Sequence, residues 1–402
     1  MKISKNIEIF EQGNKYLMRT YSRLPVVFVK AKMQYLWDTE GSKYLDFIAG
    51  YGCLNVGHSN KFVVNALKKQ IGKIIQPSNI YFNQPQVKLA KKLCEITEFG
   101  EKVFFANSGT ESIEGAIKLA RKYSTDKYNA SSRYEIISFE KSFHGRTLGA
   151  LAATAQPEKQ KLFEPLPSGF KYAVLNDIVS VSNLINENTC AIMLEPVQGE
   201  GGVYPADKKF MEWIRNICNE KNILLILDEV QTGFGRTGNM FAYQNYNIYP
   251  DILVVAKSLG GGMPIGAIIS TDKISASFGP GTHGSTFGGN AAACVAGLAV
   301  IDYLVENNLP GKSMKLGQYF LKKLMQIKKK YAVVKEIRGA GLLFGMEFNE
   351  PVAEKLVSKA LYDKIVINKV SSSTLRFLPP LIITKNNIDR LVKWLDVNIK
   401  EI

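Results

Sequence analysis

From about residue 60 to 270, short apolar runs rich in β-branched residues alternate with segments of helical period, and this alternation sets the fold class as α/β. The strands predicted from it are 102–106, 135–139, 190–195, 223–228, 251–256 and 266–270. Several are apolar throughout, as expected of a central, mostly parallel sheet with helices on both faces. After the first strand, Ile113, Ala116, Ile117 and Ala120 fall at i, i+3, i+4 and i+7, one helical stripe facing that sheet.

The texture changes near residue 305. A Lys-rich helix through KKLMQIKKK, two strand-like runs (333–338 and 342–348), a helix, short strands near Ile365 and Leu375 and a last helix read as a smaller α+β domain. The first ~55 residues carry a hairpin-like run, FVKAKMQYLWDTEGSKYLDF, with Glu40-Gly41 supplying the turn. The expected division is an N-terminal segment 1–55 packing with the small domain, a large domain 56–304 and a small domain 305–402.

Composition removes several classes. Five cysteines, odd in number and without a C-x-x-C, argue against a disulfide framework or a zinc knuckle and fit a reducing cytoplasm. His58, His144 and His283 are too far apart in sequence to share a metal by local spacing, so no metal is expected. MKISKNIEIFEQGN lacks an apolar core of signal-peptide length, and the longest apolar stretch is broken by Asp302, so export and a membrane are not expected. Lys plus Arg is 51 against 36 Asp plus Glu, a net charge of +15. Such a surplus fits nucleic acid or small anionic substrates, but no recognisable nucleic-acid motif accompanies it.

Three features carry chemistry. Asn107-Ser108-Gly109-Thr110-Glu111 joins strand KVFFA to the amphipathic helix, where free N–H groups and the helix dipole make an anion site. Read alone, Ser108 with Glu111 three residues on is also a plain capping box. Asp228 ends the apolar strand ILLILD, at the strand edge where open α/β sheets bind ligands. A Walker-type Mg²⁺ carboxylate is the rival reading, but no G-x-x-x-x-G-K-[ST] is present. Lys257 lies between strand DILVVA and a glycine run, where burial favours an amine able to form a Schiff base; a solvated strand-end lysine is the plain alternative. An anion site, a carboxylate and an amine after successive strands together match what pyridoxal phosphate needs.

Ser108-Gly109-Thr110, FHGRT (143–147), EPVQGEGG (195–202), LDEVQTG (227–233), Lys257 and GSTFGGN (284–290) follow one another in a set order and spacing. In these motifs, and from about residue 16 to 380, the chain resembles the class III aminotransferases, most of all the acetylornithine branch and next the ornithine δ-aminotransferases. The resemblance implies the fold-type I architecture and a pyridoxal 5′-phosphate cofactor. Lys257 would bind its aldehyde and move the reacting proton, Asp228 would pair with its ring nitrogen, and Phe143 and Val230 would cover its two faces. Gln231 would approach the phenolic oxygen, while Ser108, Gly109 and Thr110 would hold the phosphate. Thr286 would reach the phosphate of a neighbouring subunit's cofactor, implying a homodimer. His144 would be structural support. Arg146 and Arg376 would bind substrate carboxylates, with Glu200 neutralising Arg376 when the donor has no carboxylate there.

The implied reaction moves the δ-amino group of N-acetylornithine to 2-oxoglutarate, ping-pong through pyridoxamine phosphate, as in arginine biosynthesis. One departure bears on the donor: Tyr51 and Tyr21 match substrate-contacting tyrosines of the ornithine branch, so ornithine and succinylornithine stand as alternatives. Ala291 departs from a proline common in relatives and carries no functional meaning.

Overall fold

The computed structural model describes residues 5–129 and 132–401. Its centre is a seven-stranded sheet in the order Lys102–Ala106, Gly266–Ser270, Ile252–Val255, Leu224–Asp228, Thr189–Leu194, Glu135–Phe139, Phe170–Ala173. Gly266–Ser270 runs antiparallel to both neighbours, and the remaining strand pairs are parallel. The mostly parallel sheet expected from the apolar runs is therefore present, with strand ends within a residue of those predicted.

Strand alternation explains why both faces need a cover. Ile226 and Ile252 enter one apolar cluster with Ile113, Ala116, Ile117 and Ala120 of helix Gly109–Tyr128, while Leu225, Leu227 and Leu253 enter the opposite one. Edge strand Phe170–Ala173 was not foreseen, because FKYA is only half buried and lacks a continuous apolar run. Its Lys171 instead pairs with Glu135 on the neighbouring strand, at 2.7 Å.

The N-terminal hairpin forms as expected: Tyr35–Asp38 and Lys43–Asp46 are antiparallel, and Gly41 at the turn has φ +81°. Phe28–Lys32 adds a third strand on one side, and Ile365–Val366 from the distant C-terminal part adds a parallel fourth on the other. A second four-stranded sheet holds Val334–Ala340, Leu343–Phe348, Thr374–Phe377 and Asn368–Ser371. Its Asn368–Ser371 strand, half polar, was also missed by the sequence pattern.

Arg236 locks these parts together. Fully buried, it donates to the Leu342 and Pro379 carbonyls at 2.9 and 2.6 Å and to Asn55 Oδ1 at 2.5 Å. No single helix among the described residues is long and apolar enough to cross a membrane; one pair, Ala291–Glu306 with Leu309–Lys330, has the composition but is bent by 62°. The first of that pair is mostly buried, as a core helix is.

Candidate active site

The site lies beyond the carboxyl ends of three sheet strands, where backbone groups that leave the ladder become free for ligands. Strand Lys102–Ala106 empties into helix Gly109–Tyr128. The Ser108 side chain does what a capping residue does, accepting from Glu111 N at 3.3 Å, while the Glu111 carboxylate accepts from Asn107 N at 2.5 Å. The N–H groups of Gly109 and Thr110 have no partner among the described residues and remain free to bind an anion. A Cβ on Gly109 would lie 3.0 Å from Val230 Cγ1, so any larger residue requires the Val230 side chain to give way by a few tenths of an ångström. Thr110 Oγ1 accepts from the N–H groups of Arg146 and Thr147, both at 3.2 Å, and so docks the FHGRT turn on the same spot.

Asp228 is buried at the end of its strand. Its Oδ1 accepts from Val230 N at 3.0 Å, and its Oδ2 faces His144 Nδ1 at 2.8 Å. His144 Nε2 is buried without a partner. Glu195 lies beside this pair, and neither the strand pattern nor the motif indicated a separate role for it. Its Oε1 accepts from Phe143 N at 2.8 Å and its Oε2 from Gly199 N at 3.2 Å, so one carboxyl positions both the Phe143 ring and the loop bearing Glu200. Burial, with the Asp228 charge adding to it against His144, pushes Glu195 up to about 7.

Lys257 follows strand Ile252–Val255 with φ +40°, a left-handed conformation uncommon outside glycine. The next residue secures it: Ser258 Oγ donates to the Gly52 carbonyl at 2.5 Å. Gly52 belongs to a turn in which Ala49, Gly50, Tyr51 and Gly52 all have positive φ. Asp46 holds that turn by accepting from Ile48 N at 2.7 Å and Ala49 N at 3.1 Å. Tyr51, 52% exposed, thereby puts its ring 5.4 Å from the Arg376 guanidinium.

Arg376, on strand Thr374–Phe377, is fully buried. Its Nη1 meets Glu200 Oε1 at 2.5 Å, the Gly199 carbonyl at 3.0 Å and Gln231 Oε1 at 3.2 Å, while Nη2 is left without a partner. Burial would raise the Glu200 carboxyl, but Arg376 and then Lys257 outweigh it and hold it below its ordinary range. Arg146 differs: among the described residues its guanidinium has no carboxylate or carbonyl partner, and it lies over the Phe143 ring at 5.6 Å.

One cavity gathers Gly109, Thr110, Phe143, Arg146, Glu200, Asp228, Val230, Gln231 and Lys257, with Arg376 and Tyr51 joined to it through Glu200. Ser108 is adjacent but committed to the helix cap. Tyr21 and Thr286 are not brought there within one chain: Tyr21 is 74% exposed, and Thr286 lies on an exposed segment whose carbonyls accept from Gln76 and Asn79. No cluster of three or more potential metal ligands exists among the described residues.

Three comparisons bear on this arrangement. The family model of class-III aminotransferases matches residues 16–399. Acetylornithine aminotransferase of Caldanaerobacter subterraneus subsp. tengcongensis is 49% identical over 388 residues, covering 96% of this chain and 98% of that one. Among solved structures, acetylornithine aminotransferase of Elizabethkingia anophelis superposes with TM-score 0.90 at 31% identity, covering 100% of both chains. Ornithine aminotransferase of Toxoplasma gondii, a structure with partial occupancy of PLP at the active site, superposes with TM-score 0.95 at 30% identity, covering 100% of this chain and 96% of that one. The chain belongs to the class III aminotransferases and has the fold-type I architecture. It is an aminotransferase, and its substrates are small molecules.

Proposed function

We propose that the chain moves the δ-amino group of N-acetylornithine to 2-oxoglutarate, giving N-acetylglutamate 5-semialdehyde and glutamate, with pyridoxal 5′-phosphate as cofactor. The observation that carries this reading is an asymmetry: Arg376 is closed by Glu200, whereas Arg146 is open. A donor whose reacting end has no carboxylate fits that state, with its distant α-carboxylate on Arg146. Glutamate carries a carboxylate at each end, so in its half-reaction Glu200 must yield Arg376, whose unpartnered Nη2 is available for the α-carboxylate.

The donor set suits the cofactor. The free N–H groups of Gly109 and Thr110 would hold its phosphate, Asp228 its ring nitrogen, Phe143 and Val230 its faces and Gln231 its phenolic oxygen. When bound, it supplies an electron sink and an aldehyde for amine exchange. Lys257 Nζ would take the proton from the amine-bearing carbon of the substrate, which requires the uncommitted amine at that strand end. Asp228, fixed by Val230 N and His144, would hold the ring nitrogen protonated, and Glu195 would keep Phe143 aligned. Lys257→Ala tests this: the absorbance of the lysine-bound cofactor should vanish and turnover should stop. An unchanged band with full turnover would refute it.

A homodimer is part of the proposal. Ile80, Tyr81 and Phe82 are 81%, 64% and 94% exposed, and Phe287, next to Thr286, is 61% exposed. Apolar side chains in such numbers mark an interface. Sedimentation at micromolar concentration should give twice the chain mass; a monomer with full activity would refute the shared site. The same reading divides the chain after residues 55 and 304, supported by the pairing of Lys43–Asp46 with Ile365–Val366. A second donor, free ornithine, draws support from the Tyr51 ring beside Arg376.

A further inference from the structure

Arg146 is not alone over Phe143. Lys159, on the four-residue helix Pro157–Gln160, brings its Nζ to 6.0 Å from the centroid of the same ring. Its side chain is only 27% exposed, and the one carboxylate within 4 Å of its ammonium among the described residues is its neighbour Glu158. That contact, at 3.7 Å with Glu158 70% exposed, is too long for a hydrogen bond and too wet to neutralise the ammonium. Burial pushes Lys159 below the ordinary lysine range, and the like charge of Arg146 adds to this against the pull of Glu158 and Glu200. Arg146 lines the cavity, Lys159 reaches the same Phe143 ring, and two poorly paired cations so placed attract an anion.

We propose that Lys159 is a substrate-binding residue, which with Arg146 holds the carboxylate most distant from the reacting amine. The inference rests on the role proposed above for Arg146. It also answers a geometric demand of the two half-reactions. In N-acetylornithine the carboxylate carbon is four bonds from the reacting carbon, and in glutamate the distal one is three bonds away, so the two carboxylates differ in reach by about 1.5 Å. A guanidinium offers a fixed planar fork, whereas an ammonium on a four-carbon stem moves. The pair can therefore serve both lengths where one arginine would favour one.

The test uses the holoenzyme with Lys159→Met, which keeps the stem length and drops the charge, and with Lys159→Arg. N-acetylornithine is compared with N-acetyl-1,4-diaminobutane, the same donor without its carboxylate, and calorimetry measures the Kd of glutarate. Lys159→Met should raise both the KM for N-acetylornithine and the Kd of glutarate about ten-fold, as loss of a part-exposed charged contact implies. It should leave kcat within about two-fold and kcat/KM for the decarboxylated donor unchanged, and Lys159→Arg should recover most of the loss. Equal effects on both donors, or none on either, would overturn the role of Lys159. If the unaltered enzyme does not use N-acetylornithine, the donor assignment falls by itself. The glutarate arm then decides: a ten-fold weaker Kd in Lys159→Met upholds the carboxylate role, and an unchanged Kd ends it.

Discussion

Glu200→Gln should turn the enzyme's preference from a δ-amino donor toward glutamate. Arg376 is fully buried and its Nη1 lies 2.5 Å from Glu200 Oε1, while the Glu200 side chain is 26% exposed. Breaking a fully buried ion pair costs about 3–5 kcal/mol; glutamine keeps a hydrogen bond and the position is partly wet, so about 1.5–3 kcal/mol is expected here. The pair is intact both in the free enzyme and with N-acetylornithine bound, so its loss cancels there and kcat/KM for that donor should stay within about two-fold. With glutamate, the substrate α-carboxylate no longer has to displace an anion, and kcat/KM should rise by about ten-fold or more, since about 1.36 kcal/mol is a factor of ten. The ratio of the two therefore moves by about ten-fold or more toward glutamate. Single-turnover half-reactions followed by the absorbance of the bound cofactor give both numbers from one preparation. A uniform fall for both substrates would refute the reasoning, because it would mean that Glu200 supports the fold of the loop and not the choice of substrate.

Other expectations follow from the same contacts. Arg236→Met orphans the Leu342 and Pro379 carbonyls and Asn55 Oδ1, and the urea transition should shift to lower concentration by an amount equivalent to about 3 kcal/mol; an unshifted midpoint would contradict the clasp. Burial pushes Glu229 up to about 7 from an ordinary 4.5, although it accepts from Ala242 N at 2.6 Å and Tyr243 N at 2.8 Å. Its folded-state value is raised, so its contribution is complete below about pH 4.5 and is lost as pH rises through about 7. Unfolding curves between about pH 5 and about pH 8 should show stability falling, with a shallower slope in Glu229→Gln; equal slopes would refute this. Tyr51→Ile removes the ring 5.4 Å from Arg376 and should change the order of kcat/KM among N-acetylornithine, ornithine and succinylornithine, an unchanged order placing Tyr51 outside donor choice.

What was legible in the sequence follows from what is local. Strands such as Leu224–Asp228, buried on both faces, write themselves as unbroken apolar runs, so their carboxyl ends, and with them Asp228 and Lys257, could be located. Phe170–Ala173 and Asn368–Ser371 could not, since their exposed positions admit lysine and serine. Ser108 shows a local signal with two readings, and the structure uses its side chain for the cap while leaving the Gly109 and Thr110 N–H groups free. Glu195, Lys159 and Arg236 were not distinguishable because their significance depends on long-range contacts: Glu195 with Phe143, Lys159 with the ring above Arg146, Arg236 with residues from both ends of the chain. No spacing rule encodes such contacts. Tyr21 and Thr286 carry no role visible within one chain, and the role proposed for Thr286 depends on a partner subunit.

The central claim is that the open Arg146 and the closed Arg376 select a δ-amino donor with one distant carboxylate. The most direct measurement is the half-reaction of the holoenzyme with N-acetylornithine, ornithine and succinylornithine side by side. The account predicts loss of the cofactor band with all three and the highest kcat/KM with N-acetylornithine. A band that persists with every one of them, while an ω-amine lacking a carboxylate discharges it, would contradict the account.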